Sequence, residues 1–78
     1  MSQITIHLFG QLTDIAGSDR IQMPLVADTD ELMNALLAKY PGLNSVTFLL
    51  AVDKRIIRDN ISLQSNAEIA LLPPFSGG

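Results

Sequence analysis

The chain has 78 residues, 47% of them hydrophobic, with Lys and Arg numbering 5 against 8 Asp and Glu for a formal charge of −3, and no cysteine. That length supports one domain with a core of modest size; the acidic balance disfavours nucleic-acid phosphate as a partner, and the lack of cysteine excludes disulfides, thiolate metal sites and cysteine nucleophiles. Met1-Ser2-Gln3-Ile4-Thr5-Ile6 places no charged segment ahead of an apolar one, and no apolar run nears the roughly 20 residues of a membrane span, so the expectation is a cytoplasmic protein with no membrane attachment.

Ile4, Ile6 and Leu8 alternate with Thr5, His7 and Phe9, the period of a half-buried strand, and Gly10 ends it. Leu12, Ile15 and Ala16 recur at helical spacing ahead of Gly17, so residues 11–16 are predicted as a short helix with a left-handed glycine cap. After a turn at Gly17-Ser18-Asp19, Arg20-Ile21-Gln22-Met23 alternates again as a short strand paired with the first, and Pro24 places its end at an edge. Asp28-Thr29-Asp30-Glu31 has the spacing of a capping box, and its three acids suit the positive end of a helix. Leu32, Met33, Leu36, Leu37 and Tyr40 form one apolar stripe on that helix, which Pro41-Gly42 stops.

Thr47 to Val52 is apolar enough for a central strand, turned at Asp53-Lys54 into a short strand at Arg55-Ile56-Ile57. Ser65-Asn66 is a turn pair in which Asn66 tolerates left-handed geometry, and Glu68-Ile69-Ala70-Leu71-Leu72 is the last strand, ended by Pro73-Pro74. The order implies an α+β fold, with a mixed sheet of about five strands packed on one main helix. The domain is expected to occupy residues 1–72, with 73–78 as an extended tail.

Few side chains suggest chemistry. His7 is the sole histidine and has no second imidazole or thiolate with which to share a metal. Lys54, Arg55 and Arg58 form a basic cluster of the kind ordinarily found on a solvated hairpin tip, and capping accounts for Asp28, Asp30 and Glu31. No nucleophile motif, phosphate loop or zinc spacing is present. What stands out is the ending, Pro73-Pro74-Phe75-Ser76-Gly77-Gly78. Two glycines let another surface approach the backbone closely and can thread a narrow channel, although the pair alone fits an inert tail as well as a reactive one. Leu71 and Leu72, adjacent on a strand, point to opposite faces, as do Leu8 and Phe9, so one member of each pair is left over for a partner. Phe75, beyond the last strand, suits an interface anchor.

Phe9-Gly10-Gln11-Leu12-Thr13-Asp14-Ile15-Ala16-Gly17, the helix from Asp28 to Tyr40, Leu50-Ala51-Val52-Asp53 and the run from Glu68 to Gly78 together resemble the small, sulfur-carrying subunit (MoaD) family of molybdopterin synthase, within the ThiS-like superfamily. The resemblance covers nearly the whole chain and is most specific at its end. It implies a ubiquitin-like β-grasp fold and a sulfur carrier whose catalytic group is the Gly78 carboxylate. An E1-like, MoeB-like adenylyltransferase would use ATP to adenylate Gly78, and a sulfur donor system would convert the adenylate into a thiocarboxylate. The large subunit, in a heterotetramer of two small and two large chains, would supply the catalytic pocket. There the sulfur passes to cyclic pyranopterin monophosphate, forming molybdopterin on the way to the molybdenum cofactor. No cofactor would be bound permanently; the covalent sulfur is the cargo, and no metal is held. Gly77 and Ser76 would serve tail passage, and Phe75, Pro74, Pro73, Leu71, Leu72 and Phe9 would bind the partner. Fully extended, residues 75–78 reach ~13 Å, at ~3.3 Å each, enough to enter a pocket while the domain stays outside.

The chain departs from the family pattern at Thr13, where arginine is frequent, at Asp53, at Ser65-Asn66-Ala67, and at Leu71-Leu72, where an aromatic pair is common. Two alternatives share the activated carboxylate: a sulfur carrier for thiamine or another pathway, and a ubiquitin-like modifier joined through Gly78 to lysines of other proteins.

Overall fold

The computed structural model describes residues 2–74. In β1 (Gln3–Leu8) the expected alternation is realised, with Ile4, Ile6 and Leu8 buried and Thr5 and His7 half-buried on the opposite face. The short helix α1 (Leu12–Ala16) buries Leu12 and ends at Gly17, whose N–H donates to the Thr13 carbonyl. β2 (Arg20–Pro24) returns antiparallel to β1, with His7 opposite Arg20 and Gln3 opposite Pro24. It lies at the edge of the sheet, where a proline can end a strand without interrupting the ladder.

α2 (Thr29–Lys39) begins as its sequence dictates: the Asp28 carboxylate accepts the Glu31 N–H at 2.9 Å, and Glu31 reaches back to accept the Ala27 N–H at 3.1 Å. Leu32 and Leu36 are fully buried, while Met33, Leu37 and Tyr40 pack at the margin of the core. Tyr40, preceding a proline, leaves the helical region at φ −126° and ψ 79°. A 3₁₀ turn, Pro41–Ser45, then buries Leu43, an element not foreseen from the sequence.

β3 (Leu49–Val52), β4 (Arg55–Ile56) and β5 (Glu68–Leu72) complete a five-stranded mixed sheet in the order β2-β1-β5-β3-β4. β5 runs parallel to β1 and antiparallel to β3. With α2 covering one face, this is the expected ubiquitin-like β-grasp.

Two details differ from expectation. The strand predicted from Thr47 starts at Leu49, which pairs with Leu72; residues further back would oppose Pro73, which has no N–H to donate. β5 is the middle strand of the five, and β3 is an inner strand between it and β4. Asn66 is not left-handed, since Asp53 and Lys54 are the non-glycine residues with positive φ among those described. The Ser65-Asn66 turn is closed instead by the Ala67 N–H donating to the Gln64 carbonyl at 3.0 Å.

The segment between β4 and β5 is pinned to the start of α2. Buried Thr29 donates its hydroxyl to Asn60 Oδ1 at 3.1 Å and accepts the Ile61 N–H at 3.0 Å, while Asn60 Oδ1 also accepts the Asp30 N–H at 2.8 Å. Thr29→Val keeps the shape but orphans the Ile61 N–H. We expect it to cost about 1–3 kcal/mol, read in urea as a lower midpoint with an unchanged slope.

Candidate functional site

The five-strand register assigns the outer face of the sheet, opposite α2. Residues directly opposite one another across strands share a face, so His7, Ala70, Ala51 and Ile56 form one row, and Leu49 and Leu72 form the next. Beyond Leu8, the Phe9 N–H donates to the Leu71 carbonyl at 3.2 Å, extending the ladder of β1 and β5 by one bond. Phe9 is 48% exposed and Ile56 42%, the two large apolar side chains most open to water among the described residues. Leu72 and Leu49 are half-buried beside them. A shallow, mostly apolar depression between His7, Phe9, Ala51, Lys54, Glu68 and Ala70 lies on this face. The outer face is thus an apolar strip, with Arg20, Lys54 and Glu68 near it, that runs to the end of β5 where the chain exits.

The predicted site residues divide accordingly. Phe9 and Leu72 are available on the outer face. Leu71 is not: it is 0% exposed, within the core. Its assignment to partner binding is therefore corrected, because the strand alternation that presents Leu72 turns Leu71 against Leu8 and Leu50 on the helix side. Pro73 and Pro74 follow β5 and are exposed. Phe75, Ser76, Gly77 and Gly78 lie outside the described residues.

His7 is half-buried on the sheet, and among the described residues no group of three or more His, Asp and Glu could hold a metal ion. Lys54 sits at the β3–β4 turn with φ 71°, and Asp53 before it, at φ 52°, accepts the Glu68 N–H at 3.0 Å. The Thr13 hydroxyl donates to the Gly10 carbonyl at 2.9 Å, so this departure from arginine has a local structural partner. A larger groove lies elsewhere, between the start of α2 and β3–β4, lined by Met33, Phe48, Leu50 and Ile57 with Asp30 and Arg58. No helix among the described residues is long and apolar enough to cross a membrane.

Three residues of the site were missed by sequence reasoning. Leu49 and Ile56 share the outer face, and the signal for Leu49 was there in the alternation of Leu49 and Ala51 against Leu50 and Val52. Gly10, read only as a strand terminator, abuts the tail exit: a Cβ placed on it would lie 2.8 Å from Pro73 Cγ. What the described residues present is a strand, an apolar face and the point where the chain leaves the sheet.

Comparison with known proteins agrees with that architecture. The molybdopterin synthase sulfur carrier subunit of Dictyostelium discoideum is 39% identical over 84 residues, covering 99% of this chain and 98% of that protein. The solution structure of small archaeal modifier protein 1 from Methanosarcina acetivorans superposes with a TM-score of 0.82 over 100% of this chain and 98% of that one, at 24% identity, a likeness of fold. A chain in the complex of subunits 1 and 2 of molybdopterin-converting factor from Helicobacter pylori 26695 matches at 26% identity and a TM-score of 0.72, over 97% of this chain and 99% of that one. The model of the ThiS family matches residues 6–78. With that match and relatives aligned almost from end to end, the chain belongs to the ThiS family.

Proposed function

We propose that this chain is the sulfur carrier subunit of a molybdopterin synthase, with the Gly78 carboxylate as its working group. The observation that carries the reading is the whole-length match to molybdopterin synthase sulfur carrier subunits. It is supported by a fold in which β5 leads straight from the sheet into Pro73-Pro74 and the glycine-ended tail.

The chemistry follows from the group. A carboxylate is a poor electrophile, so an E1-like adenylyltransferase first joins a Gly78 oxygen to the α-phosphorus of ATP, with pyrophosphate leaving. Hydrosulfide, delivered by the sulfur donor, then attacks the acyl carbon and AMP departs with that oxygen, leaving a thiocarboxylate. In the large subunit this sulfur bonds to a side-chain carbon of cyclic pyranopterin monophosphate as a carbon–oxygen bond there breaks and its oxygen departs, and water then hydrolyses the resulting acyl–sulfur bond, returning the carboxylate and leaving the sulfur on the product. No cysteine of this chain is needed. The outer sheet face, with Phe9 and Leu72 beside the exit of β5, is the docking surface for the large subunit; Pro73, Pro74 and Phe75 lead from it, and Ser76 and Gly77 pass the tail inward.

The test is intact-mass analysis of the full chain after incubation with the adenylyltransferase, ATP and a sulfur donor. We expect exchange of one oxygen for sulfur, localised to Gly78 by fragmentation, and molybdopterin formation when the large subunit and cyclic pyranopterin monophosphate are added. An unchanged mass overturns the reading. A thiocarboxylate that feeds thiazole synthesis but not molybdopterin would move the chain to the thiamine pathway. Gly78-linked lysine peptides in cells would make it a protein modifier.

A further inference from the structure

On the functional reading above, we propose that Gly10, tied down by Thr13, is a positioning residue that sets the direction in which the chain leaves β5 on its way to Gly78. Pro73 is the first residue past the ladder of β5. It has no N–H with which to extend that ladder, so its direction is set by packing. What it packs on is Gly10, at φ +61°, where an added Cβ would lie 2.8 Å from Pro73 Cγ, closer than carbon atoms approach without contact strain.

Gly10 is not free to yield. Its carbonyl accepts both the Thr13 N–H, at 3.1 Å, and the Thr13 hydroxyl, at 2.9 Å. On its other side, the Phe9 N–H donates to Leu71 and the Phe9 carbonyl accepts from Leu12, whose side chain is fully buried. The glycine is held between the sheet ladder and the first turn of α1, so a methyl group added there displaces Pro73 instead. Gly17 supplies an internal control. It is also left-handed, at φ +78°, but a Cβ on it would meet nothing within 4 Å. Alanine at either position suffers the strain of a positive φ; at Gly10 alone it also pushes on the tail.

The experiment compares Gly10→Ala, Gly17→Ala, Pro73→Ala and Gly10→Ala/Pro73→Ala in the full chain, each converted chemically to the thiocarboxylate so that activation is bypassed. Sulfur transfer is then measured with the large subunit. We expect Gly10→Ala to lower kcat on the order of tenfold or more, as misplacement of a reacting group does, with KM for the carrier near that of Gly17→Ala. In the Pro73→Ala background, which removes Cγ, the added effect of Gly10→Ala should vanish. Thr13→Val, which loosens Gly10 without adding bulk, should lower kcat by a smaller factor and supplies the test if Gly10→Ala does not fold. In the unmodified wild type, an NMR cross-peak between Gly10 Hα and Pro73 Hγ reads the joint independently of activity. The proposal is overturned if that cross-peak is missing, if Gly10→Ala transfers sulfur as fast as Gly17→Ala, if only KM changes, or if the Gly10 and Pro73 effects simply add. Failure of the thiocarboxylated wild type to support transfer, with the cross-peak present, overturns the functional reading and with it the role in delivery, while the joint stands.

Discussion

Deleting Gly77 and Gly78 is expected to abolish sulfur loading and transfer, to background, while leaving the unfolding midpoint unchanged. The two halves of that result have separate causes. The buried core of the described residues is assembled from residues between Ile4 and Leu71, and glycine has no side chain to add to one. The reaction, by contrast, needs an acyl carbon that can reach a partner's active site, and the shortened chain ends at Ser76, which carries a side chain and sits about 7 Å short if the lost residues extend ~3.3 Å each. Intact mass after activation and synthase turnover check both halves. Gly78→Ala retains a terminal carboxylate, so it separates chemistry from passage: loading that persists while transfer drops tenfold or more points to a narrow channel, the scale that a small misplacement produces. Full transfer by the deletion variant would leave the tail without a function.

The second large effect is a contrast between neighbours. Leu71→Ala is expected to destabilise the domain by about 2–5 kcal/mol, a large part of the 5–15 kcal/mol that holds a typical domain together. For a domain of this size that lowers Tm by roughly 10 °C or more. Leu71 is fully buried between β1 and β3, and removing its side chain leaves a void among Leu8, Leu50 and their neighbours. Leu72→Ala, on the outer face, should change stability by less than about 1 kcal/mol, since little of what it loses was buried, yet weaken docking on the large subunit by about tenfold, or ~1.4 kcal/mol. Thermal unfolding and calorimetric titration distinguish the two variants. Equal stability losses would place both leucines in the core, and an unchanged Kd for Leu72→Ala would remove the outer face from the docking surface.

That contrast marks how far the sequence could be read. The adjacency of Leu71 and Leu72 showed that they face opposite ways, because side chains alternate along any strand. It did not show which face was the core. The choice depends on the register that sets Leu71 beside Leu8 and Leu50 and sets Leu72 beside Leu49. The same holds for Thr47 and Phe48, apolar enough for a strand but left unpaired because the partner strand runs out into proline. Asn60 gave no sign that it would cap a helix distant in sequence, since its role exists only after the segment before β5 folds back onto Thr29.

By itself, then, the sequence determined what short-range physics controls: the alternation of β1, the Asp28 cap and apolar stripe of α2, the glycine end of α1, the Asp53-Lys54 turn, and the family likeness concentrated in the glycine-ended tail. These depend on residues a few positions apart, whose periodicity, capping and turn preferences act before any tertiary contact forms. Only the tertiary structure decided the strand order with β5 at its centre, the burial of Leu71 against the availability of Leu72, and the meeting of Gly10 with Pro73 at the exit of the chain. Those depend on contacts between residues far apart in sequence, formed when the sheet closes around β5, and no local pattern in either segment carries a record of its partner.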